Sequence, residues 1–480
     1  MPFIVFNLRS AAGIALIVLG IIAVPLPIIP GIPMIAAGAA LLGPRHPLIR
    51  YFKGWLSRRG LLKDQDAVSH VNPLPSMMRL VRPFQEFVAR ETTGGLLLLA
   101  STIAALVLAN SAWAPAYAAL WRTPLTVGLG RFSLSHDLRF WVNDGLMAAF
   151  FLLVGLEIKR EFLAGELASP RRAALPILAA LGGVVAPSLL YSVLNSGGPG
   201  APGWGVPMAT DIAFALGALA LLGDRVPPSL KVFVTALAIV DDLAAVIVIA
   251  FFHTASLDGI ALAGAAACLL ALLAVNRLGI RHPLPYVLLG GVLWIAVLAS
   301  GIHSTIAGVL LAFTIPYRTA TQPGEFPLEG RAALNVYSPL RRWEHKLHPW
   351  VTFGIMPLFA MANAGVELPD DLGKAVGNFV TLGVVLGLVL GKPLGITLAS
   401  WLAVRIGWAA LPEGVSMKQI HGVGWLAGIG FTMSFFMAGL SFSSDALLLA
   451  AKLGILGASV GAAAIGSAVL SRNARKETAQ

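Results

Sequence analysis

A chain of 480 residues with 57% hydrophobic and only 12% charged residues, and a mean hydropathy of +0.81, falls outside the soluble globular class and reads as an all-α polytopic membrane protein. Its formal net charge of +11 does not point to a nucleic-acid partner, because the cations are sorted between alternate loops. The single cysteine, Cys268, lies in an apolar run, which excludes an internal disulfide and a thiolate metal cluster and leaves packing as its expected role.

The first segment is "AAGIALIVLGIIAVPLPIIPGIPMIAAGAALLG", residues 11 to 43, whose two short apolar halves are divided by a Pro-Gly turn. It reads as a helical membrane hairpin, with a cleaved signal peptide as the competing reading. Arg9 is a thin basic region for such a signal, and a basic stretch from Arg45 to Lys63 follows instead of a secreted domain. The expected organisation is therefore an N-terminal hairpin module over 1–63 with its basic tail, then a polar, proline-containing linker over 64–79. A membrane core follows over 80–475, with a short tail over 476–480.

A bilayer calls for about 20 apolar residues per helix, which predicts about twelve core spans. They lie near 95–113, 140–156, 174–194, 207–223, 229–252, 258–275, 285–300, 302–316, 349–366, 376–401, 420–440 and 448–471. One set of alternate loops carries eighteen Lys and Arg, from Lys159 to Lys476, and the other carries five: Arg122, Arg131, Arg139, Lys374 and Lys452. The richer side is expected to be cytoplasmic, with both ends of the core on it. Between the first two spans, "TPLTVGLGRFSLS" alternates apolar and polar residues around Gly128 and Gly130. This is a two-stranded hairpin signal on the outer face, with a plain loop as the alternative. An isolated hairpin is marginal in water, so a second copy of the chain is its expected partner, through residues 122–138.

Ionisable residues at membrane depth are expensive and mark function. The deep ones are Asp144, Asp211, the adjacent pair Asp241 and Asp242, and Lys392, with His303 nearer an outer end. Two neighbouring carboxylates in a poorly hydrated site cannot both ionise cheaply, so each needs a cation, a proton or a basic partner. Internal pairing with Lys392 and helix ends is the purely structural reading; competition of a metal cation with a proton for the same lone pairs is the functional one. Two spans look interrupted, one at Pro207, Thr210 and Asp211 and the other at Gly428, Gly430 and Thr432. They occupy the second place in two three-helix groups, 174–252 and 376–471, the pattern of an inverted-topology repeat with crossing broken helices. The glycines alone are equally compatible with close helix packing. Asp211 would offset the positive helix ends at such a crossing and Lys392 the negative ends.

The strings "WVNDGLMAAFFLLVGLEIKRE", "ATDIAFALGALALLGDRVP", "ALAIVDDL", "WEHKLHPW", "GKPLGI" and "GIGFTMS" occur in this order across the core. With them, residues from about 80 to 475 resemble the NhaA-type sodium/proton antiporters, a resemblance that implies an inverted-topology repeat. The resemblance implies that Asp241 and Asp242 form the cation and proton site, with Asp242 the sodium ligand and Asp241 exchanging an ion pair with Lys392. It places Thr210, Asp211 and Thr432 at the broken helices, and Asn143 and Asp144 in a region of access and packing. It further implies a pH-sensing cluster of Glu157, Arg160, Glu161, Glu344, His345 and His348 on the basic side, with His303, which also matches a family position, grouped with it. Without the resemblance, such a cluster reads as a solvated loop. The added residues 1–79 depart from the family and receive no task from it.

The expected function is secondary antiport in a bacterial-type inner membrane, exporting Na⁺ or Li⁺ for inward H⁺ with no cofactor, rather than enzymatic chemistry. A cation-coupled symporter of a small organic solute on the same scaffold is the alternative. An intramembrane aspartyl protease needs its two aspartates on separate helices with a Gly-x-Gly-Asp string, which is missing here. A passive cation channel would show uncoupled current.

Overall fold

The computed structural model describes residues 91–129, 132–222, 226–252, 257–317, 338–369 and 371–477. The expectations for the N-terminal hairpin, the linker and the start of the core lie outside these residues.

The described chain is mostly helical. Helix α1 (Glu91–Ala109) is followed by α2 (Ala114–Arg122), bent from it by 113°. Strands β1 (Pro124–Leu129) and β2 (Phe132–Asp137) pair antiparallel, with Thr126 opposite Ser135 and Gly128 opposite Ser133. The hairpin expected around Gly128 is therefore present, with its second strand running on to Asp137. Asp137 ends that strand and starts the next helix, because its carboxylate accepts the Phe140 N–H at 2.7 Å. Trp141 Nε1 donates back to Leu125 O at 2.9 Å and ties the hairpin to α3 (Leu138–Ala164).

Then come α4 (Pro170–Asn195), a 3₁₀ segment (Ala201–Met208), α5 (Ile212–Leu221), α6 (Pro228–Phe252), α7 (Gly259–Arg277), α8 (Pro283–Ala299) and α9 (Ile306–Thr314). Helix α10 runs over 339–363, α11 is Leu372–Val376 and α12 is Phe379–Ile406. Helices α13 (Met417–Ala427) and α14 (Phe431–Ser441) form a second bent pair at 49°, and α15 is Asp445–Glu477.

Six of these helices are long and apolar enough to cross a membrane, and eight spans result if each bent pair counts as one. The other four expected segments lie in shorter pieces. They are the 3₁₀ segment with α5, the 17-residue α8, the nine-residue α9 and the second half of α10.

Prolines and glycines explain the local geometry. A proline inside a helix removes a backbone donor and clashes with the carbonyl four residues before it. Both α10 and α12 open into a π turn just before such a proline, Val351–Ile355 before Pro357 and Gly387–Gly391 before Pro393. A third π turn, Trp141–Leu146, holds Asn143 and Asp144. Glycines set the close approaches. A Cβ on Gly395 of α12 would lie 2.0 Å from the Gly182 carbonyl oxygen of α4, and one on Gly308 of α9 would lie 2.1 Å from the Ala148 carbonyl oxygen of α3. The pairs α4–α12 and α3–α9 therefore pack backbone to backbone, which fixes the depth of every polar side chain they carry.

Candidate functional site

The site is built where two interrupted helices meet. The backbone is non-helical between the 3₁₀ segment and α5, at Ala209–Asp211, with Ala209 extended, and breaks again at Gly428–Gly430 between α13 and α14. These breaks hydrogen-bond to each other, with Asp211 N donating to Ile429 O at 2.7 Å. Broken helices expose N–H groups at one end and carbonyls at the other, and a buried end needs partners.

Asp211 supplies the first kind. Its carboxylate accepts the backbone N–H of Phe214 at 3.2 Å and of Thr432 at 3.1 Å, and also the Thr432 hydroxyl. It thus sits at the start of both α5 and α14, where helix dipoles favour negative charge. Lys392 and Thr210 supply the second kind: the Lys392 ammonium donates to Met208 O, and Thr210 Oγ1 lies 2.9 Å from Ala427 O. Ser434 Oγ adds a bond to Val206 O at 2.8 Å.

Against this crossing, α6 presents Asp241 and Asp242, adjacent on the helix and 1% and 2% exposed. Their surroundings differ. Asp241 Oδ2 receives Lys392 Nζ at 2.9 Å and Thr210 Oγ1 at 2.6 Å, while its Oδ1 is buried without a partner among the described residues. Asp242 instead lines a cavity of about 280 Å³, together with Thr210, Asp211, Thr432, Glu157, Arg160, Glu344 and His348. Asp241 stands behind it, outside the cavity lining. The Thr210 hydroxyl has one proton and two acceptors in reach, Asp241 and the Ala427 carbonyl, so it can serve only one at a time.

Chemically, the arrangement places two carboxylates beside one buried ammonium. One acid is matched by Lys392, and the other faces a cavity whose lining also holds Arg160, with no ion pair to it among the described residues. Carboxylate oxygens are hard ligands suited to a small alkali cation, and the same lone pairs accept a proton.

The basic-side residues form a second group. Arg160 pairs with Glu161 at 3.0 Å and approaches Glu344 at 3.3 Å, the latter without a well-aligned hydrogen bond from Nε. Burial pushes the Glu344 carboxyl above the ordinary carboxylate range, against the pull of the nearby Arg160 and Arg341. Glu157, Arg160, Glu344 and His348 line the Asp242 cavity, and His345 joins Arg341, Glu344 and His348 around a neighbouring one of about 300 Å³. Next to them, Lys159 Nζ reaches the Phe313 and Ile315 carbonyls at 2.7 and 2.5 Å, binding α3 to the end of α9.

His303 lies elsewhere. Its Nε2 is 3.8 Å from Asp144 Oδ1, its Nδ1 is 3.1 Å from Thr305 Oγ1, and its ring meets Phe436 edge-on. Asp144 also accepts the Ser304 hydroxyl at 2.7 Å. Asn143 and Asn363 exchange side-chain amide bonds at 3.2 and 2.7 Å. The resemblance grouped His303 with the basic-side cluster, but the fold joins it to Asp144 instead, because α9 begins against the π turn of α3.

Sequence reasoning did not find Asn363, Ser304, Ser434 or the Met208 carbonyl. Asn363 was discoverable as the lone amide in "MPLFAMANAGV"; a backbone carbonyl exposed by a break leaves no side-chain signal.

Comparison with known proteins agrees with this geometry. The profile of the family described as Na⁺/H⁺ antiporter 1 matches residues 85–470. A protein of Oleidesulfovibrio alaskensis named Na⁺/H⁺ antiporter NhaA is 51% identical over 412 residues, covering 79% of this chain and 92% of the relative. Proteins of the same name from Koribacter versatilis and Acidithiobacillus ferrooxidans are each 49% identical, over 84% and 83% of this chain and 94% and 99% of theirs. Sequence strings, crossed helix breaks and paired carboxylates lead to one conclusion: this multi-pass membrane protein belongs to the Na⁺/H⁺ antiporter 1 family.

Proposed function

We propose that this chain exchanges Na⁺ or Li⁺ for H⁺, exporting the metal cation as protons return, and that Asp242 is where the two compete. The observation that carries this reading is the asymmetry of the pair: Asp241 is occupied by Lys392 and Thr210, whereas Asp242 borders the cavity. A sodium ion reaching Asp242 from that cavity displaces its proton. It then draws on the free Oδ1 of Asp241, which loosens the Lys392 pair and releases the ammonium proton. Two protons would leave per sodium ion bound, so exchange is electrogenic.

The supporting architecture is a twelve-span core with an inverted repeat, in which α4, the broken 3₁₀–α5 segment and α6 correspond to α12, α13–α14 and α15. One bundle would rock against the other around the carboxylates. The basic-side cluster of Glu157, Arg160, Glu161, Glu344, His345 and His348 would adjust activity to cytoplasmic pH for sodium and pH homeostasis. His303 would act on it only indirectly, through Asp144. The protein would reside in a bacterial-type inner membrane with both ends cytoplasmic. Two copies would pair through the outer hairpin, where Leu125 and Val127 are 42% and 50% exposed.

The test is dissipation of a pH gradient in inside-out vesicles on adding NaCl, LiCl or KCl. Wild type should respond to Na⁺ and Li⁺, and Asp242→Asn should insert normally and show no response. Robust exchange by that variant removes the central claim. Sodium-dependent uptake of a labelled organic solute would favour the symporter alternative.

A further inference from the structure

Beside the crossing lies one polar chain that the exchange chemistry does not use. His421, on α13, places Nδ1 2.9 Å from Thr397 Oγ1, and its Nε2 lies 3.0 Å from Trp425 Nε1. The indole nitrogen can only donate, so Nε2 must be bare. Thr397 Oγ1 in turn donates its one proton to Pro393 O at 2.6 Å, so it must receive from the ring. Both partners therefore select the neutral ring with its proton on Nδ1. The bonds run in one direction, from Trp425 through His421 and Thr397 to the Pro393 carbonyl of α12.

The ends of this chain matter for the site. Pro393 follows Lys392 directly, and α13 rests on that stretch of α12 without spare room. A Cβ on Gly424 would lie 3.0 Å from Pro393 Cα, and one on Gly428 would lie 2.4 Å from the Leu388 carbonyl oxygen. At its other end, α13 and the break after it present the Ala427 and Ile429 carbonyls to Thr210 and Asp211. A displacement of α13 therefore reaches Asp241 from two sides, through Lys392 and through Thr210.

We infer that His421 is a positioning residue that latches α13 to α12, holding Lys392 and Thr210 in register on Asp241, and that it does so only as the neutral Nδ1–H ring. The inference rests on the exchange reading above. A second ring proton sets N–H against the indole N–H and opens the latch. The elements packed on α13 bring Lys392 and Arg405 from α12, Lys231, Asp241 and Asp242 from α6, and Asp445, Lys452 and Arg472 from α15, while α5 has no titratable side chain. Lys418 stands one turn before His421 on its own helix, and Arg405 is engaged over Trp401 at 5.0 Å. No carboxylate contacts the ring among the described residues, so an imidazolium there has no counter-charge at hand.

The experiment uses the full chain in lipid nanodiscs and proteoliposomes. Nitrogen-15 histidine spectra, as the difference between wild type and His421→Gln, should contain a neutral Nδ1–H signal for His421 at about pH 8. In sodium-driven exchange at about pH 8, His421→Leu should raise KM for Na⁺ about fivefold, the scale of one lost hydrogen bond, with kcat little changed.

His421→Gln, whose amide both donates and accepts, should restore the KM. Trp425→Phe removes only the donor to Nε2, and Thr397 alone should then hold the Nδ1–H tautomer. An Nε2–H signal for His421, or a wild-type KM in His421→Leu, overturns the latch, as does a Gln variant no better than Leu. A wild type that moves no protons with sodium defeats the exchange reading instead, and the spectra still decide the tautomer.

Discussion

The crossing of the broken helices and the basic-side cluster both gather acids around bases, yet they are built on opposite principles. At the crossing, Lys392, Asp211 and Asp241 are fully buried, and each is held by partners that are themselves buried in the fold. In the cluster, Arg160 is a quarter exposed and shared between Glu161 and Glu344. Buried charge pairs are costly to break because the abandoned partner has no water, whereas partly exposed pairs are screened and exchange partners easily. The first arrangement suits a site whose occupancy must be all or none, and the second suits gradual adjustment.

The comparison breaks most directly at Lys392. Lys392→Ala strips Asp241 of its cation and Met208 of its donor, and it should cost about 3–5 kcal/mol, read as a large fall in thermal midpoint in detergent. Unchanged stability would mean the pair is not closed in solution. Thr432→Val comes next. It removes a hydroxyl from Asp211 but leaves two backbone donors, so a loss of about 2 kcal/mol is expected, together with weakened sodium affinity because α14 starts there.

The smallest effect should come from Glu344→Gln, which sharpens the contrast from the other side. The folded protein holds the Glu344 proton more tightly than the unfolded chain does. Its contribution to stability is therefore full below the ordinary carboxylate pKa and is lost as pH rises through the raised value. Glu344→Gln should flatten the stability–pH curve over that window by less than about 1 kcal/mol. It should leave the sodium affinity at alkaline pH near wild type. A change as large as that of Lys392→Ala would place Glu344 within the transport site itself.

Much of this site was legible before any coordinates. Five deep ionisable residues stand out in a chain with so little charge, and four of them, Asp211, Asp241, Asp242 and Lys392, converge. The fifth, Asp144, joins Ser304 and His303 instead. The breaks were announced by Pro207 and by the run Gly428–Gly430, since these residues weaken helices whatever surrounds them. Four expected spans were harder to recognise in the structure, because a helix interrupted or shortened by packing no longer matches the bilayer's length rule.

What the amino-acid order determined by itself is the membrane class, the sites of interruption and the list of groups that need partners, because hydropathy, backbone permissiveness and charge are local properties. Which partner each group takes was decided only by the tertiary structure. Asp241 and Asp242 are chemically identical neighbours, and nothing local says which is locked and which is free. The 100° turn between successive helical residues directs one to Lys392 and Thr210 and the other to the cavity. The neutral ring of His421 is likewise set by a threonine on another helix, a choice that exists only once α12 and α13 are packed.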